Sequence, residues 1–217
     1  MTWRHRLIWK VLLIATLALA GCSPLLNAAP IPQPGTTLFQ DDFSQVTSDW
    51  GIWDRSGGSV FYDQGGLRIQ IKDARIDFWS VAGKKFGDVR IESDARRLGG
   101  ASDNDFGLIC RYQDQQNFYM FLVSSDGYFG IAKLKNNQHS LIGIEQLQYS
   151  GKIQREKLSH KLRADCSGET LSLYVDGILL METRDADFQT GDVGVLAGAY
   201  STSGVDILFD NYMVTQP

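Results

Sequence analysis

The chain has 217 residues, of which 43% are hydrophobic and 21% charged, and its formal net charge is -4. This composition is typical of a globular protein with room for one well-packed domain. All acidic residues follow position 21, so removal of residues 1–21 would leave a more acidic chain. An acidic chain disfavours nucleic acid, which is bound largely through Lys and Arg contacts to phosphate, and disfavours electrostatic adhesion to anionic lipid.

The first 21 residues have the layout of a signal peptide. Arg4, Arg6 and Lys10 give a positive start, and an apolar run follows over residues 11–20. This run is too short to cross the hydrocarbon core of a bilayer as a helix, which takes about 20 residues. Its length does fit the apolar region of a signal peptide. We therefore expect export from the cytoplasm.

The end of this run, Leu19-Ala20-Gly21-Cys22, resembles the lipobox of bacterial lipoproteins. The resemblance implies cleavage before Cys22, a diacylglycerol group on the Cys22 thiol and, usually, acylation of the new amino terminus. Two or three acyl chains would hold the protein stably on a lipid bilayer, whereas one chain binds only marginally. The alternative is an uncleaved hydrophobic anchor with an incidental cysteine. The expected location is a bacterial membrane, with the domain facing the periplasm or the cell exterior.

The segment after Cys22 is rich in proline, with four of the five prolines of the chain at positions 24, 30, 32 and 34. Alternating prolines favour an extended backbone at about 3.1 Å per residue. We therefore divide the chain into a signal peptide over residues 1–21, a lipidated cysteine with a tether over 22–37, and one domain over 38–217.

The domain reads as short stretches of period two, separated by Gly, Asp and Asn, without a helical run of ten or more residues. Residues 88–97 alternate between apolar or small side chains and charged ones, which predicts a strand with one buried face. Residues 117–123 are apolar on both faces, which predicts a central strand covered on both sides. Asp-Gly pairs at 126–127 and 176–177 predict turns, the second within a β-hairpin. These patterns predict an all-β fold, a two-sheet sandwich or jelly roll.

Several of these segments resemble concanavalin A-like jelly rolls. They are residues 107–114, 117–119, 162–164, 173–177, 188–194 and 209–212. Within that superfamily they are most similar to the 3-keto-disaccharide hydrolase-type domain, also described as family-16-hydrolase-like, and to laminin-G-like domains. The resemblance covers essentially residues 38–214 and implies an antiparallel jelly roll of two sheets. Because this sandwich hosts lectins, adhesion modules and hydrolases, the resemblance specifies the fold better than the chemistry.

Two cysteines, Cys110 and Cys166, remain besides Cys22. Alternation places Cys110 on the face of Phe106 and Leu108, and Cys166 on the face of Leu162 and Ala164, so that both point to the core. In an oxidising compartment the pair predicts a disulfide. The alternative is two buried thiols that behave as small apolar side chains.

Catalysis has weak candidates in Glu92 and Asp94. A family-16 glycosidase carries Glu, any residue, Asp, and then a second Glu two or three residues on, whereas this chain has Arg96 and Arg97 there. A retaining glycosidase needs two carboxyls about 5–5.5 Å apart, one of them protonated. Arginines on the same face would instead keep both acids ionised. The alternative is a solvated strand face with weak ion pairs.

Metal and cofactor signals are sparse. Zinc-ligand spacings, a nucleophile elbow, a P-loop and a dinucleotide fingerprint do not occur in the sequence. A structural calcium ion is conceivable at Asp41, Asp42 and Asp210, because they lie on the first and last strands, which such folds usually pair. Hard oxygen ligands suit calcium, although such aspartates commonly cap turns and edges. No other cofactor is expected.

Sugar binding is the leading functional hypothesis. Aromatic faces stack on sugar rings while polar side chains bind hydroxyls, as in other small-molecule sites. The candidate ligand-binding residues are Trp79, Glu92, Asp94, Arg111, Gln113 and Tyr119. The alternative for the tryptophans, Trp50 and Trp53 included, is the core. We therefore expect a membrane-anchored extracytoplasmic lipoprotein that binds a polysaccharide or glycoconjugate without turnover. There are two alternatives. One is a glycosidase-type hydrolase acting on a sugar derivative, and the other is a structural or protein-interaction lipoprotein. The sequence does not specify the oligomeric state.

Overall fold

The computed structural model describes residues 32–46, 49–155 and 157–217. Residues 32–217 form one compact unit, whereas Cys22 and the proposed signal peptide lie outside the described residues. All regular structure in the described part of the chain is β-strand. This part contains no helix long and apolar enough to span a membrane.

Sixteen strands make up the described fold. They are β1 (Thr37–Asp41), β2 (Trp53–Arg55), β3 (Gly58–Asp63), β4 (Gly66–Ile71), β5 (Ile76–Val81), β6 (Val89–Gly99), β7 (Asn104–Asp114), β8 (Asn117–Val123), β9 (Tyr128–Lys135), β10 (Gln138–Leu141), β11 (Gln148–Tyr149), β12 (Ser159–Ser167), β13 (Thr170–Val175), β14 (Ile178–Arg184), β15 (Asp192–Ala199) and β16 (Val205–Thr215).

These strands form two sheets in which every described pair of strands is antiparallel. The nine-stranded sheet has the order β14-β13-β12-β6-β16-β4-β3-β2, with β1 paired to β16. The seven-stranded sheet has the order β10-β9-β8-β7-β15-β5, with β11 paired to β9. The prediction of an all-β antiparallel jelly-roll sandwich is confirmed.

The main core lies between the two sheets and contains side chains from both. The Cys110–Cys166 disulfide crosses it, because Cys110 lies on β7 and Cys166 on β12 of the other sheet. The predicted disulfide is therefore present. Such a cross-link restricts the unfolded chain and stabilises the fold.

Local predictions from the sequence are confirmed at three places. On β6, Val89, Ile91, Ser93 and Ala95 are buried while the charged residues between them are not. Strand β8 is buried on both faces and lies between β7 and β9. The hairpin between β13 and β14 turns at 176–177, where both residues have positive φ, 51° and 80°. Positive φ at both positions is the conformation that the Asp-Gly pair favours in a tight hairpin.

The outer face of the seven-stranded sheet, which points away from the main core, carries a second apolar cluster. Its buried members are Ile109, Phe118, Met120, Leu122, Ala132 and Leu196. Trp79 packs against this cluster and is itself only partly buried. Tyr112, Leu134, Leu141 and Leu147 also pack against the cluster, so this outer face is largely covered.

Candidate functional site

Two aspartates meet on the outer face of the seven-stranded sheet. Asp77 lies on β5 and Asp105 on β7, and both are in register with Gly198 on the strand between them. A Cβ atom at position 198 would lie 2.1 Å from Oδ1 of each aspartate. The two Oδ1 atoms are therefore at most about 4.2 Å apart, twice 2.1 Å. A glycine allows this close approach, because any side chain at position 198 would push the two carboxyls apart.

Asp105 is the buried member of this pair, with 5% of its surface exposed. Its Oδ1 atom has no hydrogen-bond partner among the described residues. Burial, reinforced by the nearby charge of Asp77, raises the pKa of Asp105 to about 8. Burial disfavours the ionised form of a carboxyl, and a second carboxylate adds repulsion. Asp105 therefore holds a proton near neutral pH and can donate it in a hydrogen bond.

The backbone around Asp105 is fixed by its neighbour Asn104, which is fully buried. The Asn104 side-chain amide donates to Ala101 O at 2.7 Å and to Ser125 Oγ at 3.1 Å. Its side-chain oxygen accepts from Ser125 N at 3.0 Å. These bonds tie the start of β7 to the turn after β8. Asp105 is thus held in place by the fold without a direct bond to its Oδ1.

Asp77 is the exposed member of the pair. Partial loss of solvent raises the pKa of Asp77, and the opposite charge of His139 counteracts this effect. Asp77 is accordingly the carboxyl that ionises more readily. One protonated and one ionised carboxyl, side by side, can donate to and accept from the same ligand.

An open cavity of about 480 Å³ lies over the two aspartates, and we call it the carboxyl pocket. Its lining residues are Arg75, Asp77, Asp105, Met120, Leu122, His139, Ala199, Tyr200 and Ser201. Pockets of roughly 300–1,000 Å³ with an apolar base and a few polar groups are typical small-molecule sites. The carboxyl pocket fits this description, since Met120 and Leu122 form an apolar floor beside the carboxyls.

Tyr200 lines the carboxyl pocket and exposes 41% of its surface. Burial raises the pKa of Tyr200, and the charges of Asp105, Asp77, Asp103 and Asp126 raise it further. The phenol therefore stays protonated and can serve as a donor. The effect of four carboxylates on one hydroxyl also indicates a negative potential in this region.

Trp79 is not among the lining residues of the carboxyl pocket, but it lies two residues beyond Asp77 on the same face of β5. Its ring packs on Phe118 with centroids 5.2 Å apart, and Phe118 in turn packs on Tyr112 at 5.3 Å. A hydrogen bond with the Trp79 side chain lowers the pKa of Tyr112, although burial has the larger effect and raises it. These contacts hold a partly exposed indole at the edge of the carboxyl pocket.

The six predicted ligand-binding residues do not form one surface. Of them, Trp79 lies beside the carboxyl pocket, whereas Arg111 and Tyr119 are buried, with 1% and 0% exposure. Tyr119 pairs with Cys110 across β7 and β8 and so faces the core. Its hydroxyl bonds Asp185 at 2.5 Å and accepts from Phe188 N at 3.1 Å. The expectation that Arg111 and Tyr119 line a binding face is therefore wrong.

Arg111 is misplaced by the alternation rule because β7 has a bulge. The register of β7 shifts between Cys110 and Asp114, and Arg111 has a positive φ of 53°. The side chain points inward, where it donates to Phe188 O at 2.8 Å and to Asp88 at 3.0 Å. A bulge reverses the side on which later residues emerge, so Arg111 has a structural role.

Glu92 and Asp94 lie on β6 in the nine-stranded sheet, apart from Trp79 on the seven-stranded one. Asp94 pairs with Lys161 at 2.9 Å and accepts from Asn211 at 2.9 Å. This face of β6 is thus solvated and ion-paired, which agrees with the alternative to a catalytic role for Glu92 and Asp94. Gln113 is exposed at the end of β7 and donates to Thr190 O. None of these three residues lines the carboxyl pocket.

The calcium candidates have local partners. Asp41 accepts from Phe43 N at 2.8 Å and from the Trp50 indole at 2.9 Å. Asp42 accepts from a backbone N–H two residues on, and Asp210 from the next N–H. Within the ranges that the structure describes, no three His, Cys, Asp or Glu side chains come together to hold a metal ion. Calcium at these aspartates stays a prediction that this arrangement does not favour.

Comparison with solved structures identifies the fold. The carbohydrate-binding module CBM66 from Bacillus subtilis superposes with a TM-score of 0.60 at 18% identity, over 77% of this chain and 95% of that one. A protein of unknown function with a galectin-like fold, from B. subtilis, has a TM-score of 0.61 at 12% identity, over 86% of this chain and 98% of that one. The beta-glucanase from B. licheniformis has a TM-score of 0.59 at 12% identity, over 85% of this chain and 100% of that one. Protein-family models and curated proteins give no match.

The described domain therefore shares the jelly-roll fold of these structures, one of which is a carbohydrate-binding module and one a beta-glucanase. Identities of 12–18% show the fold alone. What this chain binds has to be argued from its own pocket.

Proposed function

We propose that the chain is a lipid-anchored extracytoplasmic lipoprotein whose jelly-roll domain binds carbohydrate in the carboxyl pocket. The observation that carries the proposal is the pair of carboxyls that meet over Gly198 beside a partly exposed indole. A protonated and an ionised carboxyl can bind sugar hydroxyls as donor and acceptor. Trp79 and Tyr200 offer ring faces for the apolar side of a sugar.

The fold comparisons support this choice of ligand class. One similar structure is by its title a carbohydrate-binding module, and another is a beta-glucanase. Jelly rolls host many functions, so a shared fold raises the expectation of sugar binding without assigning it. The pocket residues of this chain make the proposal specific and testable.

The lipid anchor rests on the sequence of residues 1–22 and is proposed on that basis. A Cys22→Ala variant should lose the acyl groups and remain a precursor. The wild-type protein should partition into the detergent phase and show the mass of two or three acyl chains on a fragment that begins at Cys22. An unmodified Cys22 in the wild-type protein would overturn the anchor and leave the pocket proposal untouched.

A glycosidase-type hydrolase is the second candidate, because one of the two carboxyls is protonated and the other ionised, although the pair is closer together than the carboxyls of a retaining glycosidase. Retaining glycosidases place two carboxyls about 5–5.5 Å apart and keep one protonated. Here the Oδ1 atoms are at most about 4.2 Å apart, twice 2.1 Å, and Asp105 is the protonated member. Asp77 and Asp105 replace Glu92 and Asp94 as the residues to test for catalysis.

A glycan array probed with the purified protein tests both candidates. Each hit is then incubated with the protein and analysed by mass spectrometry for cleavage products. Asp77→Asn and Asp105→Asn should weaken the array signal, while Glu92→Gln on the other sheet should leave it unchanged. Binding without products supports the binding function, and products that disappear in Asp105→Asn support the hydrolase. No signal in any well would contradict both.

A further inference from the structure

The carboxyl pocket is surrounded mainly by acidic groups. Asp77 and Asp105 line it, and Asp103 and Asp126 are close enough to act on Tyr200 inside it. The positive groups that line it are Arg75 and His139. With Asp105 protonated, three carboxylates face one guanidinium and one imidazole, which favours a cationic ligand over an anionic one. Uronates and sugar phosphates would therefore be repelled.

Asp105 supplies the second observation, because its Oδ1 is buried and has no hydrogen-bond partner in the described structure. An unpaired buried polar atom is costly, and the cost falls when a ligand brings a donor to it. Since Asp105 lines the carboxyl pocket, a ligand can reach this atom. The site is thus built to receive a donor at the position of the carboxyl pair.

The separation of the two carboxyls indicates which donor fits. Charge-assisted N–H···O bonds are about 2.8 Å long, so one nitrogen can contact two oxygens that are at most about 4.2 Å apart, twice 2.1 Å. An ammonium group has three donors and can bond both oxygens, whereas a hydroxyl has a single donor. An ammonium group also carries the charge that the two carboxylates would balance.

We propose that the carboxyl pocket selects sugars that carry a protonated amine, with the ammonium group held between Asp77 and Asp105. The inference rests on the proposed sugar-binding function and narrows its ligand class to amino sugars whose nitrogen is free of an acetyl group. When the ammonium group arrives, the O–H bond of Asp105 breaks and its proton passes to solvent, and no other covalent bond changes. Arg75 and His139 remain available for ring hydroxyls, and Tyr200 contributes its ring face.

The test compares sugars that differ only in the substituent at one carbon. Trisaccharides of β-1,4-linked glucosamine, N-acetylglucosamine and glucose are titrated into the purified protein by calorimetry, and an array of other sugars with free and acetylated amines extends the set. The glucosamine form should bind at least tenfold more tightly than the other two. At a pH below the pKa of the sugar amine, where the amine and Asp105 both carry a proton, the heats in buffers of different ionisation enthalpy should show the release of a proton.

Variants locate the effect and guard against misfolding. Asp105→Asn should lose both the preference and the proton release, and Asp77→Asn should lose the preference. Glu92→Gln should keep both, and a melting curve shows that each variant is folded. Equal or tighter binding of the neutral or acetylated sugars would overturn the inference and leave the sugar-binding function standing. Absence of binding to every sugar would overturn the sugar-binding function itself.

Discussion

Asp77 and Asp105 lie on strands that are separated by a third strand, yet their carboxyls face each other directly across Gly198. The glycine makes this contact possible, because its missing side chain leaves the space in which the two carboxyls meet. The relationship joins residues from three distant parts of the chain into one polar centre on an otherwise apolar face.

The first prediction concerns Gly198→Ala. A methyl group there would lie 2.1 Å from both carboxyl oxygens, so the two side chains must separate. Sugar binding should fall at least tenfold, as measured by calorimetry, while the fold is retained. Gly87→Ala is the matched control, because a Cβ at that position meets nothing within 4 Å. Unchanged binding in Gly198→Ala would show that the carboxyl pair is not the site.

The second prediction concerns stability and pH. The pKa of Asp105 is raised from 3.8 to about 8 in the folded state. A carboxyl whose pKa rises on folding destabilises the protein progressively as pH rises from its unfolded value through its folded one. Asp105→Asn removes this cost, so the variant should be more stable than the wild type at pH 8, by up to about 5 kcal/mol, because each pKa unit corresponds to about 1.4 kcal/mol.

The difference between Asp105→Asn and the wild type should disappear below about pH 3, where the carboxyl is protonated in both the folded and the unfolded state. Denaturant unfolding at several pH values measures this difference in the free energy of unfolding. Asp94→Asn, on the other sheet, is the control. A variant that is less stable than the wild type at pH 8 would mean that Asp105 is ionised and bonded in the folded protein.

The third prediction concerns the Cys110–Cys166 disulfide, which joins the two sheets. Replacing both cysteines with serine should lower the free energy of unfolding by roughly 2–5 kcal/mol, because the unfolded chain regains the freedom that the cross-link removes. Denaturant titrations of the wild type with and without a reducing agent give the same comparison. Identical midpoints for all three samples would contradict the structural role.

The fourth prediction concerns Trp79→Ala. An aromatic contact contributes about 1 kcal/mol beyond simple burial, so sugar affinity should fall roughly fivefold. Tyr149→Ala is a suitable control, because Tyr149 is an exposed aromatic, 57% accessible, that does not line the carboxyl pocket. Equal losses in the two variants would argue against a specific role for Trp79.

The fold was predictable from local patterns. The alternation of Val89, Ile91 and Ala95 against charged neighbours identifies β6 and its buried face. The Asp-Gly pair at 176–177 identifies the hairpin of β13 and β14. Such signals depend only on neighbours in the sequence, and they are reliable where a strand continues without interruption.

The candidate site was only partly predictable. Trp79 was recognised as a candidate, but Asp77 and Asp105 were not, because β15, which lies between their strands, comes much later in the chain. One sequence signal could have identified Asp105 as a site residue. It lies on the same strand face as the apolar residue Ile109, four positions further along β7. Arg111 was wrongly placed because a bulge, which alternation cannot detect, turns its side chain inward.

The most direct measurement of sugar binding at the carboxyl pocket is an NMR titration of the isotope-labelled protein with the tightest-binding sugar from the array. Amide signals of residues 75–79, 104–107 and 196–201 should shift in a saturable way, and those of β6 around Glu92 and Asp94 should not. Saturable shifts confined to β6, or the absence of shifts on β5, β7 and β15, would contradict the assignment of the site.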